Sequence, residues 1–81
     1  MVTEQGLFDI LSEPSPIIDP FGKRWYNKNG QLHRDGDRPA IIYPSGTSWY
    51  KNGKLHRDGG KPALISADGS KEYWFDGKRI K

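Results

Sequence analysis

Two short runs offer the residue types that could do chemistry, His33-Arg34-Asp35 and His56-Arg57-Asp58. An imidazole beside a guanidinium and a carboxylate can act as an acid, a base or a metal ligand. Covalent catalysis would further need a nucleophile held by a base and an orienting third group, and neither run has one nearby in sequence. A zinc site would need further ligands, whereas the chain has two His and no Cys. A residue that returns at one position of a repeat serves the repeat. His33 and His56 are therefore expected to bond a neighbouring turn, and Arg34 and Arg57 to pair with Asp35 or Asp58. We expect no catalytic residue, no metal and no cofactor.

A second set interleaves basic and aromatic side chains: Lys23, Arg24, Trp25 and Tyr26, then Trp49, Tyr50, Lys51 and Lys54. Such a set can stack nucleobases between cationic rims. The same residues also suit a core of aromatic rings with snorkelling lysine stems, which we favour. Asp35-Gly36-Asp37 and Asp58-Gly59-Gly60 lack the alternating oxygen ligands and closing Glu of a calcium loop and read as turns. No glycine-rich phosphate-binding motif occurs.

The elements that position these groups follow from internal repetition. Trp25-Tyr26, Asn29-Gly30, Leu32-His33-Arg34-Asp35-Gly36, Pro39-Ala40-Ile41-Ile42 and Gly46 return as Trp49-Tyr50, Asn52-Gly53, Leu55-His56-Arg57-Asp58-Gly59, Pro62-Ala63-Leu64-Ile65 and Gly69. The first copy has one extra residue around Asn27 and Lys28, expected as a bulge or a longer loop. Partial copies flank the two: Pro16 to Gly22 echoes Ile41 to Gly46, and Tyr73 to Lys78 echoes Trp49 to Lys54.

Asn-Gly and Asp-Gly favour type I′ hairpin turns, which need positive φ at both central residues. Gly30, Gly53 and Gly77 are expected there as structural residues of the repeat. Strands are predicted at 22–27, 31–34, 39–43, 47–51, 54–57, 62–66, 70–75 and 78–81. Connections this short force antiparallel neighbours, so the fold class is all-β, an antiparallel meander of hairpin repeats over 16–81. Pairing around Asn52-Gly53 would set Lys51 opposite Lys54, Tyr50 opposite Leu55 and Trp49 opposite His56, with bulky groups on both faces. One face is then expected to be covered by the leader, by curling or by another subunit. Residues 1–15 form an acidic leader in which Leu7, Phe8, Ile10 and Leu11 have helix-compatible spacing, so a short helix over 4–12 is expected.

Composition bounds the rest. The chain of 81 residues fits one domain with a thin core, and its lack of Cys rules out disulfide support. Self-association into a homo-oligomer is therefore expected. No apolar run is long enough to cross a membrane and no signal peptide is evident, which points to the cytoplasm and to no membrane partner. Residues 1–22 hold Glu4, Asp9, Glu13 and Asp19 with no cation; all 13 basic residues follow, giving the remainder a charge of +7. That split suits an acidic leader docking on a basic body, or an anionic partner.

The pattern Trp-Tyr-x-Asn-Gly-x-Leu-His-Arg-x-x-Gly-x-Pro-Ala, at Trp49 to Ala63, resembles variant MORN-type repeats of phages, large DNA viruses and some bacteria. The last partial copy departs from it, with Ile80-Lys81 in place of His-Arg. The resemblance implies a phage or viral accessory protein and, as function, a non-enzymatic inhibitor that binds and blocks a host defence protein in the host cytoplasm. A basic and aromatic surface that sequesters a nucleotide or binds nucleic acid is the alternative. The expected binding residues are Arg24, Trp25, Lys51, Lys54, Arg57 and Arg79, since Arg and Trp dominate interface hot spots.

Overall fold

The computed structural model describes residues 14–81. The predicted helix over 4–12 lies outside them. All regular structure among the described residues is extended, in ten short strands: β1 Ile17–Asp19, β2 Gly22–Arg24, β3 Ile41–Tyr43, β4 Gly46–Ser48, β5 Tyr50–Lys51, β6 Lys54–Leu55, β7 Leu64–Ser66, β8 Lys71–Glu72, β9 Trp74–Phe75 and β10 Lys78–Arg79. Six of them form one antiparallel sheet in the order β1-β2-β3-β4-β7-β8, and β5-β6 and β9-β10 form two small ribbons. The fold is the expected meander of consecutive hairpins, and the echo at Pro16 to Gly22 is a true hairpin, β1-β2.

The strands are shorter than predicted, and the reason is tertiary. The expected strands over 47–51 and 70–75 each break, at Trp49 and at Tyr73. The stretch 31–34 keeps only the bridge between Leu32 and Tyr26. At each break the chain leaves the large sheet and enters a ribbon. Trp25 N–H donates to Ala40 O and Trp49 N–H to Ala63 O, both at 2.8 Å, while His33 and His56 N–H donate to Trp25 O and Trp49 O. Trp25 and Trp49 thus each mark a crease where the chain leaves the large sheet. The buried apolar residues lie there: Trp25 at 6% exposure and Ala40 and Ala63 at 0%.

Asn52 (φ 49°) with Gly53 (φ 83°), and Asp76 (φ 53°) with Gly77 (φ 81°), have the left-handed conformations of a type I′ turn. Register follows: Tyr50 faces Leu55 and Lys51 faces Lys54. Gly53→Val is expected to lower stability by about 1–2 kcal/mol, because a β-branched residue is strained at this φ. Thermal unfolding checks it, and an unchanged melting temperature would exclude this register.

The first turn differs. Three residues, Lys28-Asn29-Gly30, close it, and only Gly30 has positive φ, 77°. Asn27 holds the loop from within: its Oδ1 accepts Asn29 N–H (2.9 Å) and Gln31 N–H (3.0 Å), and its carbonyl accepts Gly30 N–H. The extra residue is thus a longer loop closed by a left-handed glycine. The loop Ala67-Asp68-Gly69 between β7 and β8 has the same backbone bonds, Gly69 N–H to Ser66 O and Ser66 N–H to Ser70 O, with Asp68 Oδ1 inside the loop accepting Ser70 N–H. This corrects one alignment: by register Ser70, not Gly69, occupies the place of Gly46 and Gly22.

Candidate functional site

The His-Arg-Asp runs sit where each unit meets the next. Asn52 N–H donates to His33 Nδ1 and Asp76 N–H to His56 Nδ1, each at 3.0 Å. Because Nδ1 accepts, the ring proton belongs on Nε2, which bonds Asp35 Oδ1 or Asp58 Oδ1 at 2.9 Å. Each His thus fastens the turn of the following unit, as the repeat position implied. Backbone bonds complete the join: Gly53 N–H to Leu32 O and Arg34 N–H to Tyr50 O, repeated as Gly77 N–H to Leu55 O and Arg57 N–H to Trp74 O. His56 also lies 4.4 Å from the Phe75 ring, centroid to centroid.

The arginines do something the sequence did not indicate. Arg34 stacks 3.7 Å over the Trp25 ring and Arg57 3.8 Å over the Trp49 ring. Each also donates to the carbonyl of the proline before the buried Ala, Arg34 to Pro39 O and Arg57 to Pro62 O. Lys81 covers Tyr73 in the last copy at 5.7 Å. A cation–π contact with a desolvated guanidinium stabilises by about 1–2 kcal/mol. The Trp-to-Arg spacing could have suggested this pairing.

Arg57 bonds Asp37 rather than Asp58, with Nε to Oδ1 at 3.0 Å, and Lys61 reaches the same carboxylate at 3.0 Å. This replaces the expected Arg57 to Asp58 pair, since His56 takes Asp58. The bonds from Arg57 and Lys61 pull the Asp37 carboxyl down from its ordinary 3.8 to about 2. Asp19 is lowered too, mainly by Phe21 N–H and the Tyr43 hydroxyl. A carboxyl depressed in the folded state contributes stability that is complete above about pH 4 and lost as pH falls towards 2. Stability should therefore drop across that window, and less so in Asp37→Gly, which copies Gly60 of the next unit. Urea unfolding at pH 5 and pH 2.5 measures the difference; equal pH dependence in the two proteins would exclude Asp37 as a contributor.

A groove of about 140 Å³ between the first two units is lined by both His-Asp pairs, Asp37 and Trp49. The imidazoles and carboxylates in it already bond one another, the backbone or a cation. Among the described residues no three His, Cys, Asp or Glu side chains converge as a ligand set for a metal.

The expected binding residues are not one surface. Trp25 is buried in the crease and Arg57, 14% exposed, is held by Trp49, Asp37 and Pro62. Both belong to the scaffold. Arg24 lies 3.7 Å from Asp19 and 5.9 Å from the Tyr26 ring, with its Nε shielded and without a hydrogen-bond partner among the described residues. Lys51 and Lys54 stand on the exposed face of one ribbon, Lys54 beside Asp76 at 3.7 Å. Arg79 lies on the last ribbon near Glu72, at 3.9 Å.

Register brings together a row the sequence reading did not single out. Across the six-stranded sheet Ile18, Lys23, Ile42, Thr47, Ile65 and Lys71 follow one another on one face. Ile18 is 68% and Ile42 39% exposed, and no acidic residue enters the row. Lys23 and Lys71 make no ion pair among the described residues. The opposite face carries Ile17, Arg24, Ile41, Ser48, Leu64 and Glu72; Ile41, Ser48 and Leu64 line a hollow of about 200 Å³, and apart from the exposed Ile17 at its edge this face is the more covered of the two. The row alternates branched aliphatic and polar side chains in strand order, so it could be read only once the strands were paired.

No family model, no curated protein and no solved structure matches this chain.

Proposed function

We propose that this chain is a non-enzymatic binding module that blocks a partner protein, in the manner of a phage-type inhibitor of a host defence protein in the host cytoplasm. The observation that carries it is the outer row, an aliphatic strip set with two cations that have no counter-ion among the described residues. Exposed apolar area of this kind is a docking surface when its partner supplies matching chemistry. The partner that matches is a protein segment with aliphatic and acidic side chains, because Lys23 and Lys71 would otherwise be covered without a counter-charge. The resemblance to variant MORN-type repeats supports the phage setting. The engagement of the His, Asp and Arg groups in joining units supports binding without turnover.

The second reading, a nucleotide or nucleic-acid ligand, is favoured by Lys28, Lys51 and Lys78 at the ribbon turns, which also lack ion pairs among the described residues. One experiment addresses both. Tagged protein is incubated with bacterial lysate, retained proteins are identified, and bound nucleotides are extracted. Lys23→Glu with Lys71→Glu should weaken retention of the partner protein at least tenfold and leave the melting temperature unchanged. Retention of nucleotide alone, with steep salt dependence, would replace the first reading by the second.

A further inference from the structure

Both edges of the described array carry positions equivalent to its internal joint, and several of them are altered. Inside the array, β7 pairs on β4 as β3 pairs on β2. By the same register β1 of a second copy would pair on β8, and the first ribbon of that copy would lie against Arg79 to Lys81. Every group needed for that joint has an equivalent at the ends, and several of the equivalents are changed.

At the trailing end, Gly22 and Gly46 lie where the next strand approaches. A Cβ on Gly22 would overlap Ile42 O, and one on Gly46 would come within 2.8 Å of Ile65 O. The equivalent residue, immediately before β8, is Ser70, whose Cβ occupies the space an incoming backbone needs. Ile80, 59% exposed, stands in place of His33 and His56 and offers no acceptor to an incoming turn. Tyr73 N–H, which in the earlier units donates to the next Ala carbonyl, turns instead to Lys81 O at 3.0 Å.

At the leading end, Pro16 stands where Ala40 and Ala63 are fully buried against the preceding unit, adding bulk at the joint. The first turn has its N–H groups satisfied by Asn27, whereas Asn52 and Asp76 give theirs to the preceding unit. The extra residue of the first copy thus closes the loop on itself.

We infer that Pro16, the Asn27 loop, Ser70 and Ile80 cap the described units against a second copy of this chain, so that a surface complementary to itself by construction does not polymerise head to tail. Heterologous joints of this kind do not close and run on into filaments. Association between copies, where it occurs, then uses a sheet face rather than the ends.

The test joins a second copy of residues 58–81 after Lys81, which leaves residues 1–81 intact. With Ser70 and Ile80 in place, the added unit should exchange its amide hydrogens freely and the melting temperature should stay that of the original chain. With Ser70→Gly and Ile80→His in the same chain, the added unit should become protected and the melting temperature should rise. Protection of the added unit without those substitutions would overturn the caps. So would its absence with them, in a chain that still melts cooperatively.

Discussion

Replacing Trp25 by Ala should remove most of the stability of the fold. The indole is nearly buried at the crease, its N–H side of the backbone bonds Ala40, and Arg34 lies on its face at 3.7 Å. Large-to-small changes at buried aromatic positions cost about 3–5 kcal/mol. A domain of this size is held by roughly 4–12 kcal/mol in all. No larger apolar cluster exists among the described residues to absorb the loss, since the other buried apolar residues are two alanines. Trp25→Ala should therefore be largely unfolded at 37 °C, and Trp25→Phe intermediate. Circular dichroism with thermal unfolding reads both, and a melting temperature within a few degrees of the original would exclude the crease as the core. The same measurement guards the interpretation of binding. Loss of partner binding in Trp25→Ala or Arg57→Ala would report unfolding, so Lys23 and Lys71 are the informative positions.

Gly22→Val should be the next most damaging change. Gly22 has no left-handed backbone to explain it; space does. A side chain there would meet the carbonyl of Ile42 and the ring of Tyr43, which crosses the glycine so that its hydroxyl reaches Asp19 Oδ2 at 2.9 Å. The obstacle is partly backbone, so β2 and β3 would have to separate. Overpacking of this kind costs about 1–3 kcal/mol or more, and here it also breaks the Tyr43 to Asp19 bond. Gly46→Val should behave similarly. Ser70→Gly is the control: among the described residues no strand pairs on the outer edge of β8, so the change should stay within about 1 kcal/mol, the usual cost of glycine's backbone freedom. Equal effects at 22 and 70 would show that close strand approach is not what selects glycine.

These outcomes separate what the chain states locally from what it does not. Turn chemistry was legible because it is local. Asn52-Gly53 and Asp76-Gly77 need no distant partner to favour left-handed backbone, and they fixed the hairpins, their register and the all-β class. Repetition told that His33 and His56 serve the array, since a residue repeated in step with the turns is answering to its neighbours.

Tertiary structure decided the rest, for reasons that spacing alone cannot carry. Strand lengths were overestimated because the aromatic runs Trp49 to Lys51 and Tyr73 to Phe75 look continuous, while the chain changes partner at Trp49 and Tyr73. Trp25 and Arg57 look like exposed anchors in sequence, and the crease consumes them. The outer row of Ile18, Ile42 and Ile65 comes from three separate hairpins, with Lys23 and Lys71 contributed by strands between or beside them. Such a surface exists only after each strand has been assigned its neighbour and its face. The sequence alone determined the repeat, the turns and the antiparallel class, because those follow from backbone preferences over a few residues. Which side chains were left for a partner was settled only by the pairing of strands, because burial depends on every neighbour at once.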